Sequence, residues 1–253
     1  MSWQSVVLPL SEVPTKAIFW PVRQILRSGF EELGVAASEE AIAALERYAA
    51  LLEEKNKVMN LTAIRGEEDV ARLHFLDCGA LLRYIRPEGK RLLDVGSGAG
   101  FPGLVLKLLA PGTELTMLDS LQKRVAFQEE TAAALGLSGT ECLCGRAEEL
   151  TDRRESFDIV TSRAVARLSI LAELCLPLVK VGGVFAAMKG PEPEEEIAEA
   201  ERGTALLGGG PARIERYAVP GTDAVHTVVL IEKRRPTPAK YPRRYAQIKK
   251  QPL

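Results

Sequence analysis

Apolar positions in the first ninety residues recur at the spacing of amphipathic helices. Ser38 is typical of a helix N-cap, and the acidic Glu39 and Glu40 suit the positive end of a helix dipole. The apolar positions that follow predict a helix to about Lys57: Ile42, Leu45, Tyr48, Ala49 and Leu52. Two further helices are predicted in this part of the chain: residues 22–33, before Gly34, and residues 67–84.

Beyond Lys90 the pattern changes to short apolar runs separated by helical stretches. Seven strands are predicted: residues 91–95, 114–118, 140–144, 157–161, 183–188, 213–219 and 225–232. Four helices lie between them: residues 104–109, 121–135, 168–179 and 194–207. Strands that alternate with helices indicate a parallel sheet covered on both faces. The last two strands follow each other without a helix, so we expect an antiparallel edge.

These patterns predict four parts of the chain: an unassigned N-terminal extension (1–36), a helical cap (37–90), a sheet domain (91–232) and a basic tail (233–253). The tail carries eight Lys or Arg and no Asp or Glu, although the net charge of the whole chain is only −1. Such a tail suits contact with nucleic-acid phosphates, or it is a solvated and partly disordered end.

The composition, 46% hydrophobic and 26% charged, excludes fibrous and disordered classes for most of the chain. No uncharged apolar run approaches the roughly 18 residues of a membrane span. Residues 1–11 lack a basic start, so we expect no signal peptide. Cys78, Cys142, Cys144 and Cys175 form no C-x-x-C pair. We therefore expect reduced thiols in a cytoplasmic protein without a metal, with the last three as small core residues.

Residues 96–103, Gly-Ser-Gly-Ala-Gly-Phe-Pro-Gly, form a glycine-rich turn between a predicted strand and a helix. Glycines allow the backbone to approach a ligand, and the helix N-terminus offers free N–H groups. Asp119 ends the next strand, 23 positions after Gly96. A carboxylate there can accept hydrogen bonds from both hydroxyls of a ribose. The segment is therefore typical of a nucleotide-cofactor loop.

Two cofactor classes share this frame. A G-x-G-x-x-G run at Gly98, Gly100 and Gly103 indicates a nicotinamide dinucleotide, but the glycine nearest the strand is Gly96. Asp94 also ends the strand, where its carboxylate would repel a pyrophosphate. S-adenosylmethionine has no phosphate and carries an ammonium and a sulfonium, so the loop favours this cofactor. A tight turn without a ligand is a further alternative, which the position of Asp119 disfavours.

Several segments add a resemblance. They are Asn56 to Thr62 (NKVMNLT), His74 to Asp77 (HFLD), Leu118 to Ser120 (LDS), Ser162 to Ala164 (SRA), Met188 to Gly190 (MKG) and Tyr241 to Arg244 (YPRR). With the loop at 94–103, they resemble the bacterial small-subunit rRNA methyltransferase G family over residues 38–253. Cys78 and Lys55 depart from a usual Ser and a common Trp, and residues 1–36 have no counterpart.

The resemblance implies a class I S-adenosylmethionine-dependent methyltransferase: a Rossmann-like α/β fold with a seven-stranded, mostly parallel sheet, an antiparallel edge and a helical N-terminal cap. It also implies N7-methylation of a guanine in 16S rRNA, with the small ribosomal subunit as partner. Guanine N7 presents a free lone pair, so the transfer needs in-line alignment and no general base. We further expect a monomer that binds neither a membrane nor a metal.

Cofactor contacts are expected along the loop and the strand ends. Gly96, Gly98 and Gly100 are assigned to the methionine part, with turn geometry alone as the alternative. Asp94 is assigned to the ammonium and Asp119 to the ribose, with helix capping as the alternative for both. The resemblance adds Phe101, for which core packing is equally open. It also adds a pair beside the adenine, Ala147 and Glu148.

Arg163, Lys189 and Asn60 are the candidate catalytic residues. Arg163 ends the fourth strand, at the edge where open α/β sheets bind ligands. It is assigned to the cofactor carboxylate, to guanine O6 or to an RNA phosphate. Lys189 is assigned to an RNA phosphate or to a solvated strand end. Asn60 is grouped with His74 and Asp77 as pocket lining, although a network that braces the cap is favoured for the latter two.

Three other functions remain open from sequence. A methyltransferase of the same fold could act on another RNA, a protein or a small molecule, which the basic tail disfavours. A nicotinamide-dependent oxidoreductase would bind NADH and not S-adenosylmethionine. A non-catalytic RNA-binding or assembly module would bind RNA without turnover.

Overall fold

A computed structural model describes residues 20–253 of the chain. The apolar stretch 1–11, where no signal peptide is expected, lies outside the described residues. Helix α1 (Trp20–Leu33) ends as predicted at Gly34, which has a positive φ of 66°. Its side chains Val22, Leu26 and Phe30 are buried. Residues 20–33 therefore pack into the core of the cap, although the division of the chain into four parts stays a prediction.

Helix α2 (Glu39–Met59) begins where the sequence predicted. The hydroxyl of Ser38 accepts a hydrogen bond from the backbone N–H of Ala41 at 3.2 Å, which caps the helix N-terminus. The helix runs two residues beyond the predicted end. Asn60 follows it as C-cap in the left-handed conformation, with a φ of 48°.

The next segment differs from the regular helix predicted for residues 67–84. It consists of α3 (Glu67–Val70), a π-helix (Ala71–Leu76), α4 (Asp77–Gly79) and a 3₁₀-helix (Ala80–Arg83). A π-helical stretch inside a helix frequently marks a functional site. His74 and Phe75 lie in this stretch and are buried.

Seven strands form one mixed sheet in the order β3-β2-β1-β4-β5-β7-β6. Their bounds are β1 (Arg91–Val95), β2 (Glu114–Asp119), β3 (Thr140–Cys144), β4 (Phe157–Arg163), β5 (Val179–Lys189), β6 (Arg213–Ala218) and β7 (Val225–Glu232). Strands β1 to β5 are parallel, and β7 pairs antiparallel with both β5 and β6. The predicted antiparallel edge is confirmed. The strand order reverses at β1, which is where open α/β sheets bind ligands.

Helices cover both faces of the sheet: α5 (Gly103–Leu109), α6 (Gln122–Ala134), α7 (Leu168–Cys175) and α8 (Glu194–Leu206). One apolar core joins the cap to the sheet and contains Tyr48, Phe75 and Phe101. The second core, which contains Phe157 and Phe185, lies on the side of α7. Burial of these side chains is the main driving force that holds the cap against the sheet.

Two local predictions were wrong. Helix α7 does not reach Val179, because Pro177 cannot continue an α-helix and a 3₁₀-turn (Leu176–Leu178) leads directly into β5. Cys142 and Cys144 are not core residues, since β3 is an edge strand. The side chain of Cys144 is exposed and that of Cys142 is half-buried.

The tail is ordered and packed, not a solvated end. Lys233 and Ile248 are fully buried, and residues Tyr245–Lys250 form a last helix, α9. The guanidinium of Arg243 donates to the buried carboxylate of Glu173 on α7 at 2.6 and 2.8 Å. Two of the eight basic residues therefore hold the tail in place.

Within residues 20–253, no helix combines the length and apolar character that crossing a membrane requires. The same residues contain no cluster of three or more His, Cys, Asp or Glu side chains placed to hold a metal ion.

Candidate active site at the carboxyl edge of the sheet

The glycine loop joins β1 to α5 and leaves little room for side chains. Gly96, Gly98 and Gly100 all have positive φ, which other residues adopt only with strain. At Gly100 a Cβ would lie 2.4 Å from Leu104 and 2.9 Å from the hydroxyl of Tyr48. Tyr48 comes from the cap and donates to the carbonyl of Ala99 at 2.5 Å. The cap thus fixes the conformation of the loop.

Two carboxylates, Asp94 and Asp119, hold this loop by accepting hydrogen bonds from its backbone N–H groups. Asp94 is fully buried, and one of its oxygens accepts from the N–H of Gly103 at 2.8 Å. Its other oxygen, Oδ1, has no hydrogen-bond partner among residues 20–253. Burial raises the pKa of Asp94 to about 7, against the opposing effect of the Gly103 hydrogen bond. An additional donor at Oδ1 would stabilise the ionised form.

Asp119 serves both as a loop anchor and as a helix cap. One oxygen accepts from the N–H of Gly98 and the other from the N–H of Leu121, each at 2.9 Å. Arg124 adds an ion pair at 3.3 Å. A carboxylate has about four acceptor positions, so these three contacts leave one position for a ribose hydroxyl.

The first of two cavities at this edge, called here the cofactor cleft, has a volume of about 260 Å³. It is lined by Val95, Gly96, Leu118, Asp119, Ser120, Arg124, Gly145, Arg146, Ala147, Glu148, Ala164, Val165, Leu174 and Tyr245. The structure thus brings four of the predicted cofactor residues together: Gly96, Asp119, Ala147 and Glu148. Gly98 and Asp94 do not line the cleft. Gly98 donates to Asp119, and Asp94 holds the loop by accepting from Gly103.

The second cavity, called here the polar cavity, has a volume of about 510 Å³. Its lining residues are Ile64, Leu73, His74, Asp77, Arg163, Ala164, Met188, Lys189, Gly190 and His226. Ala164 borders both cavities and has a positive φ of 57°. A non-glycine residue in this conformation is uncommon and frequently lies at a functional site.

Arg163 lies in the polar cavity and is held on three sides. Its guanidinium donates to the Asp77 carboxylate at 3.0 Å and to Nδ1 of His74 at 2.7 Å. It also packs over the ring of Phe101, 5.0 Å from the centroid. Phe101 is itself buried and stacks on His74, so it supports this cavity and does not line the cofactor cleft.

These contacts determine the protonation of His74. Arginine only donates, so Nδ1 of His74 must accept, and Nε2 carries the proton toward the Thr62 hydroxyl at 2.8 Å. Burial and the nearby Arg163 charge lower the pKa of His74 to about 3. His74 is therefore neutral, with both nitrogens engaged, which favours the bracing role over a part in proton transfer.

Asp77 joins the cap to the antiparallel edge. Its Oδ1 accepts from the hydroxyl of Tyr217 on β6 and from Nδ1 of His226 on β7, each at 2.7 Å. Burial alone would raise the pKa of Asp77, but the His226 hydrogen bond and the Arg163 charge bring it below its ordinary value. The hydrogen bond to Asp77 also raises the pKa of His226.

The other two candidate catalytic residues are placed differently. The ammonium of Lys189 lines the polar cavity and donates to Glu196 and to the carbonyl of Ala166, both at 2.7 Å. Asn60 is exposed and lines neither cavity. The geometry therefore gives no support to a catalytic role for Asn60, whose left-handed backbone instead ends α2.

Sequence reasoning missed His226 of the polar cavity and Tyr245 of the cofactor cleft. It also missed Tyr217, which lines neither cavity but donates to Asp77. Each lies far along the chain from the loop, and only the order of the sheet and the return of the tail bring it there. No local pattern distinguishes such residues from ordinary strand and tail positions.

Comparisons with known proteins agree with this geometry. A family model described as rRNA small subunit methyltransferase G matches residues 41–220. The chain is 43% identical to the ribosomal RNA small subunit methyltransferase G of Alkaliphilus oremlandii over 237 residues, which cover 92% of this chain and 99% of the relative. It is 46% identical to the protein of that name from Deinococcus radiodurans, with 91% and 92% covered.

Similar solved structures are more distant in sequence. TrmN from Thermus thermophilus matches with a TM-score of 0.52 at 24% identity, over 70% of this chain and 53% of that chain. A precorrin-6y C5,15-methyltransferase from Geobacter metallireducens matches with a TM-score of 0.50 at 13% identity, over 62% and 87%. They confirm the class I methyltransferase fold that the sequence predicted.

Proposed function

The chain belongs to the rRNA small subunit methyltransferase G family, and from this premise we propose that it transfers a methyl group from S-adenosylmethionine to N7 of a guanine in 16S rRNA. The observation that carries the proposal is the meeting of two cavities at Ala164. One cavity has the acidic and glycine-lined character of a cofactor site. The other has the cationic side chains that an RNA substrate requires.

The residues of the cofactor cleft fit S-adenosylmethionine. Asp119 suits the ribose. Asp94 is assigned to the ammonium through its unpaired Oδ1, although this carboxylate is fully buried and does not line the cleft. Ala147 and Glu148 would border the adenine. When bound, the cofactor supplies a methyl group on a positively charged sulfur. Membership of this methyltransferase family disfavours the nicotinamide alternative.

Arg163 is proposed to act on the substrate side, because its guanidinium lines the polar cavity and not the cofactor cleft. Held by Asp77 and His74, it is fixed in position before any substrate arrives. A fixed donor can orient guanine O6 or an adjacent phosphate at little entropic cost. Lys189 would contribute positive charge at the same rim.

Two polar side chains of the polar cavity, His74 and Asp77, are not poised as general bases. His74 is neutral with both nitrogens engaged, and Asp77 is engaged by Arg163, Tyr217 and His226. Methylation of guanine N7 removes no proton in the transfer step, so this chemistry fits the cavity. The protein contributes to the reaction by aligning guanine N7 with the methyl group of the cofactor.

RNA outside the cavity would meet the exposed cations of the tail. Lys233 and Arg243 are used for packing, but the other basic side chains remain at the surface: Arg234, Arg235, Lys240, Arg244, Lys249 and Lys250. Such a cluster gives affinity that falls as salt rises. We accordingly propose the small ribosomal subunit as the partner. We further propose that the enzyme is a monomer and that it is located in the cytoplasm.

The test is methyl transfer from labelled S-adenosylmethionine to small subunits that lack the modification, followed by mass spectrometry of the labelled nucleotide. The expected result is 7-methylguanine at one site in 16S rRNA. Label in another nucleotide would keep the enzyme class and overturn the N7 assignment. If the protein binds the cofactor but labels neither small subunits nor free 16S rRNA, the proposed substrate is wrong.

A further inference from the structure

Tyr245 is the one residue of the tail that lines the cofactor cleft, within residues 20–253. It opens helix α9, about 70 residues after Leu174, the last of the other lining residues in the sequence. The ring lies beside Arg146, whose guanidinium carbon is 5.2 Å from the ring centroid. The wall of the cleft that faces the end of β3 is therefore completed by the C-terminal tail.

Residues shortly before and after Tyr245 in the sequence make contacts that fix the position of its ring. Two residues earlier, Arg243 is paired with Glu173, whose side chain is fully buried on α7. Three residues later, Ile248 is fully buried in the core on the same side. Arg154 further donates to the carbonyl of Tyr241 at 2.6 Å. Tyr245 is consequently a fixed part of the wall and not a passing contact of a loose end.

The position of the ring indicates which part of the cofactor it would meet. Along the cleft, Gly96 lies at the loop, Asp119 at the end of β2, and Ala147 and Glu148 just beyond the end of β3. If Asp119 holds the ribose, the base lies toward β3, where Tyr245 stands. A half-buried aromatic ring offers a purine an apolar contact surface.

We propose that Tyr245 forms part of the adenine subsite, so that the C-terminal tail sets the affinity for the cofactor. This inference rests on the proposed use of S-adenosylmethionine. It assigns the packed tail a second role besides RNA contact, because a tail held by Arg243 and Glu173 positions a cofactor residue.

The experiment measures dissociation constants by calorimetry for two ligands that share the nucleoside, S-adenosylhomocysteine and 5′-methylthioadenosine. Tyr245→Ala is expected to weaken both ligands by a similar factor, roughly 5- to 20-fold. Tyr245→Phe keeps the ring and should stay within about twofold of the unaltered protein. Gln247→Ala, on the exposed side of α9, is the matched control and should change neither constant.

Hydrogen exchange of residues 233–253 shows whether the tail stays docked in Tyr245→Ala. If the tail detaches in this variant, the binding measurements are made on Tyr245→Leu, which keeps apolar packing. Unchanged binding with the tail docked would overturn the inference. So would a loss for S-adenosylhomocysteine alone, because that places Tyr245 at the amino-acid end. If the unaltered protein binds neither ligand, the proposed function fails instead, and the two failures are thereby distinguished.

Discussion

The two cavities at the carboxyl edge of the sheet are built in different ways. The cofactor cleft uses backbone turns and strand ends that follow one another along the chain, from Gly96 to Asp119 to Ala147. The polar cavity uses side chains brought together from distant segments, with Asp77 of the cap bonded to Arg163 on β4 and His226 on β7. A local pattern can specify the first cavity except for Tyr245, whereas only the tertiary fold specifies the second.

The difference also predicts where each cavity is vulnerable. A backbone-built cleft is sensitive to added side chains, while a network of buried charges is sensitive to the loss of a single partner. Substitutions on the cofactor side should therefore weaken cofactor binding, whereas those in the polar cavity should reduce methyl transfer with little change in cofactor affinity.

Removal of the central carboxylate should have the largest effect. Asp77→Ala leaves the guanidinium of Arg163, only 16% exposed, without its charge partner. We expect a loss of about 3–5 kcal/mol in the free energy of unfolding, measured by urea denaturation. Asp223→Asn, at an exposed position in the β6–β7 turn, should stay within about 0.5 kcal/mol. A loss below about 1 kcal/mol for Asp77→Ala would show that Asp77 does not hold the network.

The glycine loop allows the corresponding test of the cofactor cleft. Gly100→Ala combines a φ of 102° with collisions against Leu104 and Tyr48, so we expect a loss of about 2–3 kcal/mol. Binding of S-adenosylhomocysteine should weaken by roughly tenfold or more. Gly136→Ala is the matched control, because Gly136 also has a positive φ but faces open space. It should cost about 1 kcal/mol and leave ligand binding unchanged; equal losses in stability and binding for both variants would contradict the steric argument.

The extent to which sequence predicted the structure follows the same division. The seven strands, the antiparallel edge and the loop with Asp94 and Asp119 were all predicted, because hydrophobic periodicity, glycines and strand-end carboxylates are local signals. Arg163 and Lys189 were also placed at the correct edge. Their partners were not predicted, since nothing near Arg163 in sequence indicates that it donates to His74.

The remaining errors have physical causes as well. The π-helical stretch Ala71–Leu76 keeps apolar side chains at nearly helical spacing, so the pattern does not distinguish it from an α-helix. Asn60 was assigned to the pocket within a family motif, but it follows α2 as an exposed C-cap. Because of its charge, the tail was predicted either to contact nucleic acid or to be a solvated end. Its burial depends instead on contacts with Glu173 and Arg154.

Arg163 provides a direct comparison of the two cavities, because the sequence left it open to either ligand. Arg163→Lys keeps the charge but loses the planar contacts with Asp77, His74 and Phe101. We expect methyl transfer to fall by roughly 10- to 100-fold, with cofactor affinity changed by less than about threefold. Asp119→Asn should instead weaken cofactor binding by roughly tenfold. The reverse pattern would place Arg163 on the cofactor carboxylate.

The smallest expected effect is the pH dependence that His226 confers on stability. Its hydrogen bond to Asp77 raises the pKa of His226 in the folded state above its ordinary value of about 6.5. The resulting stabilisation is fully present below pH 6.5 and is lost as the pH rises through the folded-state pKa. The imidazole is 34% exposed, so solvent screening limits the effect to under about 1 kcal/mol.

His226→Gln isolates this contribution, because glutamine can still donate to Asp77 but does not titrate. The difference in unfolding free energy between the two proteins should shrink as the pH rises from about 6 to 8.5. His74 acts in the opposite direction and in a different window, since its pKa of about 3 makes stability fall as the pH drops below 6.5. Both proteins retain His74, so its contribution cancels in the difference. A difference that is constant with pH would show that His226 has the same pKa in the folded and unfolded states, so that its hydrogen bond to Asp77 does not stabilise the protonated imidazole.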